Sequence, residues 1–252
     1  MQLKDLTWPE VDALSRDMPV IAPIAAVEQH GYHLPLYTDS YLLGEIVSRA
    51  ERQFLDLGLV LPLQWYGNSH HHMDFAGTLS VEPRCYLDMV GSLVDNLVHH
   101  GFKRILVVNG HGGNDVPGKQ AMFEKRQQYR ERDDLLLLFA TYWGLAGSPQ
   151  ESVPRLEQSD MAHACEWETS MMLAIDPSLV GDFSSQEDVS PGNPFRPASR
   201  AWITKDRSST GHIGQPAAAT AEKGEALLEH FASGLVGMVE RCACWDGVSW
   251  DG

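Results

Sequence analysis

The chain has 252 residues, of which 43% are hydrophobic, and its formal net charge is −15. This length is enough to bury a core and to form one domain over residues 1–252. The acidic balance excludes nucleic acid as a partner, because phosphate binding requires clustered Lys and Arg, and it also argues against membrane surfaces. The sequence shows no apolar run of about 20 residues, and its polar start lacks the pattern of a signal peptide. Together with the four scattered cysteines, this leads us to expect a cytoplasmic protein with reduced thiols.

Apolar runs and helical spacings alternate along the chain. Strands are predicted at 20–27, 59–63, 103–109 and 134–142. Helices are predicted at 39–54, 83–97, 116–130, 161–175 and 218–242. A polar loop at 66–77 and a flap rich in Ser, Pro and Gly at 183–210 interrupt the alternation. The pattern predicts an α/β fold in which a mostly parallel central sheet lies between two helical layers.

Side chains that bind metals follow two of the predicted strands. Glu28 and His30 come directly after the first strand, and His111 follows the strand at 103–109. The carboxyl ends of parallel strands meet at one edge of a sheet, where ligands bind. Asp39 stands at the head of the next helix, where it would otherwise be read as a helix cap. We therefore expect these four side chains to converge at one rim.

The segment "HACEWETS" adds His163 and Glu166, which lie three residues apart and so share one face of the predicted helix. A mixture of His, Asp and Glu favours zinc, manganese or iron over calcium. More than four such ligands predict two divalent ions, joined by one carboxylate over about 3.5–4 Å. Taken singly, His111 could merely shape a turn, and His70, His71 and His72 could form a polar loop. The predicted ligands are Glu28, His30, Asp39, His111 and Glu166.

Five segments in order along the chain resemble the creatininase, or creatinine amidohydrolase, family. They are "EQHGYHLPLYTDS", "HHHMDFAGTLS", "NGHGGN", "HACEWETSMML" and "GHIGQPAAATAEKG". The resemblance implies a three-layer α/β/α sandwich, a two-metal hydrolytic site, a small polar substrate and a homohexamer. It also implies that Asp39 bridges the two ions and that His163 is a proton donor near the substrate.

One position departs from the pattern of the members that hydrolyse creatinine. Those members carry a Glu two residues after the loop histidine, where this chain has Gly113. We expect Glu166 to supply that ligand from the helix, and Glu168, two residues further on, to point elsewhere in a supporting role. Creatinine is therefore expected to be a poor substrate.

The resemblance predicts a metal-dependent hydrolase that opens a cyclic amide or a formamide at its C–N bond. Two ions would polarise the carbonyl and activate water for attack, and His163 would protonate the leaving nitrogen. His72, Trp143 and Trp167 are candidate substrate contacts, although the tryptophans could equally be core residues. Two alternatives stay open. One is a hydrolase that opens a cyclic polyol ketone, such as a keto-inositol, at a C–C bond, and the other is a non-catalytic metal-binding protein.

Overall fold

A parallel sheet lies at the centre of the structure, a computed structural model that describes residues 1–153 and 155–250. Residues 154, 251 and 252 of the predicted domain lie outside the described residues. Within the described ranges the strands are β1 (Pro19–Ile24), β2 (Leu59–Val60), β3 (Arg104–Asn109) and β4 (Leu136–Thr141). Their order is β2-β1-β3-β4, and every neighbouring pair is parallel.

The strand register aligns the carboxyl ends of the three longer strands. Ile24 at the end of β1 pairs with Asn109 at the end of β3, and Asn109 pairs with Thr141 at the end of β4. The loops that leave these strands therefore begin at the same level, which is where a parallel sheet places its ligands.

Helices cover both faces of the sheet. They are α1 (Trp8–Asp12), α2 (Thr38–Phe54), α3 (Pro83–His99), α4 (Gly112–Gln128), α5 (Glu166–Ile175) and α6 (Ala221–Cys244). One core contains Ile21 and Leu106 with apolar residues of α2, α5 and α6. The other contains Val20 and Ile105 with residues of α3 and α4. Adjacent strand residues thus face opposite layers, and the predicted three-layer α/β/α sandwich is confirmed.

Most predicted elements lie within a few residues of the observed ones, with two informative differences. The predicted helix 161–175 begins only at Glu166. The polar loop 66–77 contains a 3-10 turn at His70–His72. Both differences concern segments that carry candidate site residues. The flap at 183–210 has no α-helix or strand and includes a 3-10 turn at Thr204–Asp206.

None of the helices in the described part of the chain combines the length and the apolar character that a membrane crossing needs.

Candidate metal centre

Three buried side chains form the base of the site. Glu28 and His30 lie just beyond β1, where the backbone N–H of Glu28 donates to the carbonyl of Leu36 at 2.9 Å. This bond returns the chain toward α2, whose second residue is Asp39. Glu28, His30 and Asp39 are only 1%, 0% and 3% exposed, so a short return loop places two carboxylates and one imidazole out of water.

The carboxylate of Asp39 lies between two histidines. Its Oδ1 is 3.1 Å from Nε2 of His30, and its Oδ2 is 3.0 Å from Nδ1 of His111. The other ring nitrogens are occupied: Nδ1 of His30 donates to the carbonyl of Glu28, and Nε2 of His111 donates to the carbonyl of Asn68 at 2.9 Å. In the neutral imidazoles, the nitrogens that face Asp39 are therefore the ones with lone pairs.

This arrangement fits divalent cations. A lone pair that faces a carboxylate oxygen is repelled unless a cation or a proton lies between them. Oε2 of Glu28 and Oδ2 of Asp39 are buried without a hydrogen-bond partner among the described residues. Buried charges are normally paired or coordinate metals, and these carboxylates have only histidines within ion-pair distance in the described ranges. The donor set is the imidazole and carboxylate mixture that zinc, manganese and iron accept.

The pKa values express the same electrostatic conflict. Burial disfavours the charged form of His30, but the carboxylates of Asp39 and Glu168 outweigh it and raise its pKa to about 9. Burial also opposes the cation of His111, and Glu28 and Asp39 again prevail and raise its pKa. Protons thus offset the buried carboxylates in the metal-free chain, and divalent ions would take over that role and release protons on binding.

His71 joins the same cluster. Glu28, His71 and His111 offer ligand atoms that all lie within 4.8 Å of one another. The rings of His71 and His111 are stacked, with centroids 5.7 Å apart. A Cβ atom added at Gly113 would lie 2.2 Å from the carbonyl oxygen of Asn68 and 2.8 Å from Cε1 of His71. The space above Gly113 is thus filled by the loop that carries His71.

The contacts of Glu166 contradict the ligand role that we predicted for it. Its carboxylate lies 2.7 Å from Nζ of Lys223 and accepts hydrogen bonds from the backbone N–H groups of Glu157 and Gln158. These partners balance the negative charge of the carboxylate. They also connect the loop before α5, which contains Glu157 and Gln158, to Lys223 of α6. Glu166 is therefore occupied by a structural ion pair that is separate from the cluster around Asp39.

Glu168, which we expected to point elsewhere, faces the cluster instead. Its Oε1 is 3.9 Å from Nε2 of His30, and it forms a candidate ligand group with His30 and His163. Burial raises its pKa to about 7, although His30 beside it favours the charged carboxylate.

The backbone before α5 explains why the two glutamates are exchanged. His163 is extended and exchanges backbone hydrogen bonds with Ile213 at 3.0 and 2.7 Å. Ala164 then takes a φ of 48°, in the left-handed region, and the helix begins two residues later. His163 and Glu166 are therefore not on one helix, and the predicted shared face does not exist. The Ala164 N–H donates to Glu168, which turns that carboxylate back toward His163.

His163 lies above the cluster as predicted. Its Nε2 lies 2.7 Å from the carbonyl of Gln29 and 2.9 Å from the side-chain nitrogen of Gln29, whose two N–H groups are directed to His72 and to the carbonyl of Gly211. Nε2 therefore donates to the carbonyl, and Nδ1, 3.5 Å from Oε1 of Glu28, carries the lone pair. Burial and the neighbouring His30 hold the pKa of His163 well below its usual range. The imidazole is therefore neutral, and its free nitrogen faces the site.

His72 orients Glu28 from the other side. Its Nδ1 is 2.7 Å from the side-chain amide nitrogen of Gln29, which can only donate hydrogen bonds. Nδ1 is therefore the acceptor, and Nε2–H points at Oε1 of Glu28 over 3.3 Å. Gln29 thereby fixes the tautomers of both His72 and His163.

A cavity of about 600 Å³ opens onto the cluster. Its walls include His72 and Trp143, which we predicted to contact substrate, and Trp202 from the flap. The prediction for Trp167 is wrong. Its ring is 3% exposed, packs in the core with Phe231, and donates from Nε1 to the carbonyl of Gln158 at 3.1 Å.

Two cluster residues escaped the sequence prediction. Glu168 was assigned to the wrong face because the start of α5 depends on Ala164 and on a contact with Ile213. His71 was read as part of a polar loop. The only sequence signal for it was the run of three histidines, which does not show which of them turns inward.

Comparisons with known proteins agree with this geometry. The profile of the family described as "Creatininase: Creatinine amidohydrolase" matches residues 4–239. A creatinine amidohydrolase of Pseudomonas putida is 29% identical over 94% of this chain and 95% of its own length. A mycofactocin precursor peptide peptidase of Mycolicibacterium smegmatis is 30% identical over 88% and 84%. A 3-dehydro-scyllo-inosose hydrolase of Thermotoga maritima is 28% identical over 64% and 51%.

Solved structures of creatininases share the fold. A mutant described as "Zn-Zn type" superposes with a TM-score of 0.79 at 26% identity, covering 95% of this chain and 97% of its own. A structure described as "Creatininase Mn" gives a TM-score of 0.80 at 26% identity with the same coverage. The chain is thus similar, over nearly its whole length, to hydrolases whose structures carry zinc or manganese.

Proposed function

Since the chain belongs to the creatininase family, whose members are metal-dependent hydrolases, we propose that it is a dinuclear-metal hydrolase. We propose further that it cleaves the C–N bond of a small polar amide, either a cyclic amide or a formamide. The observation that carries the dinuclear assignment is the position of Asp39. Each of its two oxygens faces the lone-pair nitrogen of a different histidine at about the same distance, 3.1 and 3.0 Å.

The buried donors divide into two ligand sets that share Asp39. One set consists of His30, Asp39 and Glu168, and the other consists of Glu28, Asp39, His71 and His111. Glu168 replaces Glu166 in the proposal because Glu166 is paired with Lys223. His71 takes the place of the glutamate ligand that creatinine-hydrolysing members carry at the position of Gly113. The two sets contain three carboxylates, and among the described residues no Lys or Arg lies within ion-pair distance of them, so that two dications would offset their charge.

When bound, the two ions would act as Lewis acids toward a carbonyl oxygen and would lower the pKa of bound water toward about 7. The protein residues supply the proton transfer. His163 keeps a lone pair at Nδ1, held toward the site by the bond from Nε2 to Gln29. It can therefore accept a proton from the attacking water and deliver it to the leaving nitrogen. His72 donates to Glu28 and holds that carboxylate in place.

Apolar side chains restrict water at the site. Trp143, Trp202 and Ile213 line the cavity next to Glu28 and His111. Their rings and methyl groups lower the local dielectric, which strengthens the electrostatic interactions that stabilise a developing oxyanion.

A substrate panel on metal-loaded protein tests the proposal. It contains N-formyl compounds, a cyclic amide, a short peptide and a cyclic polyol ketone, the last because one relative is a 3-dehydro-scyllo-inosose hydrolase. Release of amine from an amide by wild type, and its loss in Asp39→Asn, supports the proposal. Turnover of the ketone and of no amide would contradict the C–N assignment. It would support the alternative in which the same metal centre cleaves a C–C bond. No turnover of any compound, together with tight metal binding, would favour the non-catalytic alternative.

We also propose a homohexamer and a single domain over residues 1–252, both expected from the family resemblance. Light scattering at micromolar concentration measures the mass. A mass six times that of the chain's 28.0 kDa supports the hexamer, and a monomeric mass contradicts it.

A further inference from the structure

Two arginines of the flap line the cavity above the metal centre. Arg200 and Arg207 form part of the wall of the same cavity that Glu28 and His111 line at its base. They also line a smaller cavity of about 240 Å³ beside it, together with Trp202 and Asp206. The acidic metal centre therefore has a basic group of residues at its entrance.

Neither guanidinium has a carboxylate within 4.0 Å among residues 1–153 and 155–250. Arg207 stacks on Trp202, with Cζ 4.9 Å from the ring centroid, and donates one hydrogen bond to the carbonyl of Ser190 at 3.3 Å. Burial lowers its pKa. The nearby carboxylate of Asp206 accepts from the backbone N–H of Ile203 at 3.0 Å and caps that turn. Arg207 therefore keeps donors free toward the cavity.

An unpaired, partly buried arginine such as Arg207 is unusual in a chain with a net charge of −15, and the exposed Arg200 lies at the same cavity. Elsewhere, the half-buried Arg49 is paired with Glu225 at 2.6 Å, and Lys205 on the same flap lies 3.5 Å from Asp74. The planar fork of a guanidinium matches a carboxylate and binds it with two parallel hydrogen bonds. We infer that Arg207 and Arg200 form a carboxylate-binding subsite, so that the substrate is a small amide with a carboxylate several bonds from its scissile carbonyl.

The position of Trp202 determines how the substrate would lie. Its ring lies edge to face with that of His71, with centroids 5.2 Å apart, and Cζ of Arg207 lies 4.9 Å from its centroid. The indole ring therefore contacts both the subsite and one proposed metal ligand. The three carboxylates of the metal centre repel an anionic group, and the arginines attract it to the entrance. The substrate's carboxylate would therefore bind the arginines at the cavity entrance, and its amide carbonyl would point toward the metal centre.

A pair of matched probes tests this inference, which rests on the proposed function. Succinic monohydroxamate carries a metal-binding hydroxamate at one end and a carboxylate at the other, and its neutral amide lacks only the charge. Calorimetry on metal-loaded wild type should give at least about tenfold tighter binding of the acid, as charge-assisted hydrogen bonds provide. In Arg207→Gln the preference should fall below about twofold, while the neutral probe should bind as in wild type.

Lys205→Gln is the matched control, because it removes one positive charge from the same turn outside the cavity, and it should keep the preference. Arg207→Lys should keep part of it. A second pair, malonyl-glycine monohydroxamate and its C-terminal amide, places the carboxylate at the end of a peptide unit. A preference in either pair supports the subsite, and the better pair distinguishes a small acyl carboxylate from a peptide C-terminus.

Equal binding of acid and amide in both pairs would overturn the subsite and leave the metal centre intact. Loss of the preference in Lys205→Gln as well would also overturn it, because the effect would then be one of overall charge. Failure of every probe to bind metal-loaded protein would overturn the metal centre and the subsite together.

Discussion

The carboxylate of Glu168 lies 3.9 Å from Nε2 of His30, across the buried space that Asp39 also faces. Glu166, two residues earlier in the same helix, is paired with Lys223 instead. Two acidic residues in the first turn of one helix thus have different environments, and single substitutions can distinguish their roles.

Glu168→Gln should bind one metal ion fewer per chain than wild type and lose most of its activity. An amide cannot supply the negative charge that offsets a dication in a buried site. Metal content, measured by elemental analysis on protein reconstituted with zinc or manganese, checks this. Glu166→Gln is the matched control and should retain both ions.

Glu166→Gln should instead lose stability, by about 3–5 kcal/mol, because it leaves the buried Lys223 without its partner. Chemical denaturation measures that loss. Retention of full metal content by Glu168→Gln, together with metal loss in Glu166→Gln, would reverse the assignment.

His71→Ala should lose an ion from the other ligand set and keep the ion bound by His30 and Glu168. The imidazole of His71 converges with Glu28 and His111, and the loss of one ligand from such a set weakens metal binding strongly. His70→Ala is the control, because His70 points outward and bonds Ser80 and Glu82. A spectroscopic cobalt titration shows the number of occupied sites. Equal titration curves for the two variants would refute the role of His71.

Creatinine should be turned over about 10–100-fold less efficiently than the best amide of the panel, the range by which a changed environment of the metal ligands alters activity. Position 113 has no side chain, and a Cβ there would collide with the carbonyl of Asn68. A glutamate cannot be restored at this position without moving the His71 loop. A kcat/KM for creatinine equal to that of any other substrate would contradict this prediction.

Local sequence patterns predicted the three layers of the fold and the edge of the sheet at which the site lies. The periodicity of α2 and the apolar run of β3 are local properties, so their positions could be read directly. The parallel register then brought Glu28, His30 and His111 to one edge, as expected for residues that follow the carboxyl ends of parallel strands.

Tertiary contacts determined what the sequence could not predict. The start of α5 depends on the pairing of His163 with Ile213, which lies 50 residues further along the chain, and on the positive φ of Ala164. Trp167 looked like a pocket residue, but its direction depends on the same helix start. The basic subsite combines Arg200 and Arg207 with Trp202 on a flap that has no periodicity to interpret.

The central claim is that Asp39 bridges two divalent ions, and anomalous diffraction from crystals of metal-loaded protein tests it most directly. The account predicts two anomalous peaks about 3.5–4 Å apart, one beside each oxygen of Asp39. One peak should lie near His30 and Glu168, and the other near Glu28, His71 and His111. A single peak, or two peaks that do not share the Asp39 carboxylate, would contradict it.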